Sequence, residues 1–208
     1  MTEHILGVLL AGGRSRRMGG GDKSLRNLGG QTILAHIIAR LGPQVSRLVL
    51  NANGDPLRFA AFDLPVIADP IEGNVGPLVG VLAGMRAAGR IAGATHILTA
   101  PTDAPFLPDN LVAALESARD GHPVRIVLAA SGGRTHPVCG LWPVALGDDL
   151  EAALHDGTRK VLDWTDRHDT VTSEFALTGA GVDPFFNTNR PEDLATAERL
   201  LADSGRDG

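Results

Sequence analysis

Leu9-Leu10-Ala11-Gly12-Gly13-Arg14-Ser15-Arg16-Arg17-Met18-Gly19-Gly20-Gly21-Asp22-Lys23 ends an apolar run that begins at His4. It leads to residues 32–41, where Ile33, Ile37, Ile38 and Leu41 recur at helical spacing. Strand, glycine-rich loop and helix in that order open a parallel α/β sheet. The glycines let the backbone approach a phosphate closely and turn its N–H groups toward it, while Arg17 and Lys23 can neutralise phosphate charge. The spacing is not that of a Walker A loop, since Asp22 separates glycine from lysine, and the stretch holds no dinucleotide Gly-x-Gly-x-x-Gly pattern. The bland alternative is a flexible arginine-rich turn.

Outward from that loop, strands and helices alternate. Residues 46–53 and 64–68 read as a second and a third strand, each ending in polar residues: Asn51 and Asn53 in one case, Asp69 in the other. Pro77 suits the first position of a helix through residue 88, and 96–100 form a fourth strand. Helices are expected over 108–118, 148–154, 160–168 and 191–202, with a late strand at 170–175 and a frayed polar tail at 203–208. Residues 124–142 differ, because two extended runs flank Ser131-Gly132-Gly133, which predicts a hairpin and an antiparallel element. The expected fold is a three-layer αβα sandwich, Rossmann-like, on a mainly parallel mixed sheet, with 1–208 as one domain. Its ligand crevice lies at the carboxyl ends of the strands.

Composition limits the function. A chain of 208 residues, 43% hydrophobic and 21% charged, suffices for one buried core, and no apolar run is long enough to cross a bilayer. A net charge of −5 argues against general nucleic-acid binding, yet Arg14, Arg16, Arg17 and Lys23 put four positive charges within ten positions, as a site for a small polyanion would. The N-terminus lacks the pattern of a signal peptide, and the single cysteine, Cys139, permits no intramolecular disulfide. A cytoplasmic protein is expected. The seven histidines lack metal-ligand spacing, and of them only His136, beside Pro137 in the hairpin, falls near the acceptor side. Trp142, Trp164 and Cys139 read as packing residues.

The glycine-rich stretch resembles the signature of the molybdenum cofactor nucleotidyltransferases, within the wider group that includes sugar-phosphate nucleotidyltransferases. Five further segments match in order: Asn51-Ala52-Asn53, Val66 to Asp69, Gly76-Pro77-Leu78-Val79-Gly80, Pro101 to Phe106, and Phe186 to Asp193. The match runs from about residue 5 to 200. Leu10-Ala11-Gly12-Gly13 and Gly76-Pro77-Leu78 resemble the guanine-specific branch, the molybdopterin-guanine dinucleotide biosynthesis protein A family. The resemblance implies transfer of GMP from GTP to the phosphate of molybdopterin, with Mg2+ as cofactor. Among its implied roles, the backbone of Leu10, Ala11, Gly12 and Gly13, together with Asn51 and Asp69, holds the nucleotide. Lys23 and Arg17 meet its phosphates, Asp103 is the metal ligand, and Asn187 or Asn189 completes the metal or acceptor site. The implied partners are GTP, molybdopterin and, transiently, proteins of molybdenum insertion and molybdoenzyme maturation. A monomer is expected.

The chemistry needs these residue types. Two anions must meet and pyrophosphate must leave, so positive charge and in-line alignment are required. Magnesium takes few protein carboxylates plus phosphate oxygens and water. A phosphate acceptor is already ionised, so no general base is needed. Structural alternatives stand beside each role: Asp103 could cap the next helix, Asn51, Asn53 and Asp69 could be strand-end turn formers, and Asn187 and Asn189 could cap the last helix. The alternative functions are a cytidylyltransferase of the same fold and a noncatalytic nucleotide-binding assembly protein.

Overall fold

The structure is a computed structural model that describes residues 5–11, 22–73, 76–178 and 181–204. Nine strands are described: β1 (Ile5–Leu10), β2 (Asn27–Leu28), β3 (Gln31–Thr32), β4 (Arg47–Asn51), β5 (Val66–Ile67), β6 (His96–Pro101), β7 (Ile126–Ser131), β8 (Arg134–Pro143) and β9 (Thr170–Phe175). The helices are α1 (Ile33–Leu41), α2 (Pro77–Ala88), α3 (Leu111–Arg119), α4 (Gly147–His155), α5 (Val161–Thr165) and α6 (Pro191–Ser204).

Seven strands form one sheet in the order β5-β4-β1-β6-β8-β7-β9, in which β8 alone runs antiparallel to its neighbours. The mixed, mainly parallel sheet read from the sequence is therefore present, and β8 is the antiparallel element of the expected hairpin. Gly132 and Gly133 make its tight turn with φ of +55° and +76°, a combination open to glycine at little steric cost.

Alternation along the strands divides the core into two layers, because successive side chains point to opposite faces. Ile5, Leu9, Leu48, Leu50, Leu98 and Leu141 face α1, α3 and α6. Leu6, Val8, Val49, Ile97, Ile126 and Trp142 face α2, α4 and α5. Trp142 and Trp164 stack at 6.1 Å between centroids, and Trp142 Nε1 donates to Thr99 Oγ1 at 2.7 Å, so both are packing residues as expected. Cys139 is fully buried and burial pushes its thiol up to about 12, which makes it inert.

Several boundaries differ from those read in the sequence. α3 begins at Leu111 rather than 108 because Leu111 N–H donates to Pro108 O, closing a turn before the helix. β5 is two residues long, and α5 stops at Thr165 because His168 N–H closes a turn on Thr165 O and the chain then enters β9. α6 continues through Ser204, two residues into the segment expected to fray. The small β2–β3 hairpin and the 3-10 helix Pro56–Phe62 were not foreseen. No helix among the described residues is long and apolar enough to cross a membrane.

Candidate active site

β1 is flanked by β4 on one side and β6 on the other. The chain leaves β1 through α1 toward β4, and it reaches β6 from β5 through α2 on the opposite face. That reversal opens a crevice at the carboxyl ends of these strands. Leu10 ends β1, Asn51 ends β4, Asp69 follows β5 and Asp103 follows β6, so four predicted site residues share one edge of the sheet. Two bonds lock the edge: Ala11 N–H donates to Asn51 O at 2.9 Å and Thr102 Oγ1 donates to Leu10 O at 3.2 Å. Gly12, Gly13 and Arg17 lie outside the described residues.

One half of the crevice is built from amides and a carboxylate. Buried Asn51 donates through Nδ2 to Asp69 Oδ1 at 2.9 Å and to Ile67 O at 3.3 Å. Asn53 Nδ2 donates to Asp69 Oδ2 at 2.6 Å, and Asp69 N–H donates back to Asn53 Oδ1. These bonds tie the β4 loop to the β5 loop, which is more than a turn-forming role would require. α2 lies directly over them: a Cβ on Gly80 would sit 2.5 Å from Asn51 Oδ1 and 2.8 Å from a Leu10 methyl. Glycine is needed at that point to let the helix seat on the asparagine.

The other half gathers residues far apart in sequence. Lys23 Nζ donates to Asn189 Oδ1 at 3.1 Å. With its amide turned to donate, Asn187 Nδ2 lies 3.3 Å from Asp103 Oδ1 and 3.2 Å from Phe185 O. Thr188, between the two asparagines, clamps Asp103 O through both its N–H at 2.8 Å and its hydroxyl at 3.0 Å. The Asp103 backbone is thereby fixed to the 185–189 loop, and helix α3 starts eight residues later, so Asp103 does not cap it. Nor do the asparagine side chains cap α6, because Asp193 Oδ2 takes the Asn189 and Arg190 N–H groups at 3.0 and 2.8 Å.

Burial pushes the Asp103 carboxyl above the usual carboxylate range, and the nearby Lys23 ammonium opposes this only in part. A half-buried carboxylate with one amide against it and one lysine nearby is short of positive charge. Among the described residues no group of three or more His, Cys, Asp or Glu could hold a metal ion. A cation that brings its own water and phosphate oxygens fits the donors present.

A third arrangement was only partly legible. Ser131 Oγ donates to Asp183 Oδ1 at 2.7 Å and accepts from His136 Nε2 at 2.7 Å, while the His136 ring stacks on Phe185 at 4.4 Å. Asp183 Oδ1 also accepts the Phe185 N–H. The network anchors the β7–β8 hairpin to the loop that carries Asn187, Thr188 and Asn189. The sequence sets His136 near the acceptor side, and the structure puts it against Ser131 and Phe185; Ser131 and Asp183 were missed, lying 52 residues apart with no local pattern.

Burial lowers the pKa of His136 and of His96, outweighing Asp183 and Glu174 at the first and Glu116 at the second. Arg134 and Arg119 add to the lowering. The unfolded chain therefore binds these protons first as pH falls below about 6.5, and stability declines from there toward the lower folded values. The melting temperature should drop between pH 7 and 5, and the drop should be smaller in His136→Asn, which has no imidazole to protonate at that position. Equal drops in the two proteins would show that His136 does not contribute.

A crevice of this form, with a lysine, a desolvated carboxylate and paired amides at the switch point of a doubly wound sheet, defines a phosphate-handling α/β transferase. The model of the MobA-like NTP transferase domain matches residues 7–171. The chain belongs to this family and is a nucleotidyltransferase. It is 50% identical to the molybdenum cofactor guanylyltransferase of Bradyrhizobium sp. (strain ORS 278) over 208 residues, covering 99% of this chain and 97% of that one. It is 51% identical to that of Mesorhizobium japonicum, covering 97% and 98%. The crystal structure of molybdopterin-guanine dinucleotide biosynthesis protein A from Archaeoglobus fulgidus shares the fold, with a TM-score of 0.74 at 22% identity, covering 95% and 99%.

Proposed function

We propose that this enzyme transfers GMP from GTP to the terminal phosphate of molybdopterin, releasing pyrophosphate and forming the molybdopterin guanine dinucleotide. The observation that carries the reading is the convergence of Lys23–Asn189 and Asp103–Asn187 beside the Leu10–Asn51 edge. The names of relatives about 50% identical over nearly the whole chain support the guanine and the acceptor. Residues 1–208 are taken as one nucleotidyltransferase domain working as a monomer in the cytoplasm, with transient contacts to molybdenum insertion and molybdoenzyme maturation proteins.

An acceptor phosphate oxygen attacks the α-phosphorus, forming one P–O bond as the α–β P–O bond breaks, and the electron pair leaves on pyrophosphate. Lys23, held by Asn189, neutralises charge on the triphosphate, and Arg17 and the backbone of Gly12 and Gly13 act on the same phosphates. Asn51 and Asp69, with the backbone of Leu10 and Ala11, hold the nucleoside. Guanine presents N1–H and N2–H donors, so well-placed acceptors reject bases that leave those acceptors unpaired. Asp103, with the amide of Asn187 or Asn189, would hold Mg2+, which supplies charge compensation when bound.

Purified protein with GTP and Mg2+ should release pyrophosphate only when molybdopterin is added, with the guanine dinucleotide as co-product. Pyrophosphate release at an equal rate without the acceptor would contradict the assigned reaction.

A further inference from the structure

Arg58 stands beside the crevice with no role in the scheme above. It projects from the 3-10 helix Pro56–Phe62, which Asp55 caps by accepting the Leu57 N–H. Nη2 donates to Asn53 O at 2.7 Å and Nη1 to Asp55 O at 2.8 Å, while the guanidinium lies 4.6 Å from the centroid of the buried Phe59 ring. With the fork fixed on two carbonyls, Nε lies 2.6 Å from Asp22 Oδ2, an ion pair that is not aligned as a hydrogen bond.

Asp22 is the residue before Lys23. A bare carboxylate there would repel a triphosphate and offset the lysine charge, since interactions between full charges at short range are not screened away. We propose that Arg58 is a positioning residue for the nucleotide: it masks the Asp22 charge beside Lys23 and ties the segment entering Lys23 to the loop that Asn53 and Asp69 brace. The pair is 29% and 24% exposed, and at such exposure an ion pair adds little to stability, so its effect belongs to ligand affinity. The inference rests on the reading of the crevice as a triphosphate site.

The test is calorimetric binding of GTP and of inorganic triphosphate, each with Mg2+, to wild type, Arg58→Gln, Arg58→Lys and the double variant Asp22→Asn/Arg58→Gln. Glutamine keeps much of the aliphatic stem over Phe59, and thermal melts report folding. Arg58→Gln should weaken both probes about tenfold, or ~1.4 kcal/mol. Arg58→Lys should fall between, because it keeps the charge and loses the fork. The double variant should return to within about threefold of wild type, since the unmasked carboxylate is gone. Weakening that Asp22→Asn does not rescue would overturn the masking role, as would unchanged binding in Arg58→Gln. Failure of wild type to bind either probe would overturn the triphosphate reading itself, and this inference with it.

Discussion

Asp103→Asn is expected to lower nucleotidyl transfer by about a thousandfold or more while raising the melting temperature of the ligand-free protein. Both effects come from one cause. The carboxyl is held above its ordinary range chiefly by burial, so over a pH window the folded chain keeps a proton that the unfolded chain has lost. Stability therefore falls as pH rises through that window, and once ionised Asp103 is a cost to the fold. Asparagine removes that charge at nearly the same shape, and the Thr188 clamp on the Asp103 carbonyl is a backbone contact that survives. A residue conserving only structure would behave in the opposite way, losing stability on substitution. Thermal melts and single-turnover rates on the same preparations check both halves; an active or destabilised variant would remove Asp103 from the metal-binding role.

The second large effect is at Lys23. Removing one preorganised charge contact costs roughly a hundredfold in turnover, and Lys23→Ala should lose at least that. The Lys23 ammonium has a protein partner only in Asn189 Oδ1 among the hydrogen bonds of the described residues, a neutral acceptor that orients it without cancelling its charge. Arg47→Ala, at the amino end of β4 and thus the far edge of the sheet, should change turnover little. Comparable losses in the two variants would mean that net charge, not the placement of Lys23, governs the reaction.

Local signals in the sequence account for most of the fold. β1 with α1 after it, Pro77 at the start of α2 and the diglycine hairpin each have a cause within a few residues, and the structure places them as read; the glycine-rich loop at 12–21 lies outside the described residues. Residue roles separate by range. Asn51 and Asp69 could be placed at strand ends, but their mutual bond depends on the β4–β5 pairing, and the seat of α2 on Asn51 depends on Gly80 from a different element. Arg58 had no signal at all, because its helix is seven residues of 3-10 geometry without an amphipathic period and its partner Asp22 comes from a separate segment of the chain. Thr188 sits between two asparagines that drew attention, yet its role is to hold a backbone carbonyl 85 residues away. Contacts of that separation leave no pattern in a single sequence.

The crevice is expected to select guanine. Equimolar GTP, CTP and ATP offered together with Mg2+ and molybdopterin, with dinucleotide products resolved by mass, test it in one reaction. The guanine dinucleotide should dominate, by about a hundredfold or more, since a pocket of acceptors left unpaired by the wrong base discriminates at least to that degree. Equal or greater formation of the cytosine dinucleotide would contradict the account and make the enzyme a cytidylyltransferase of the same fold.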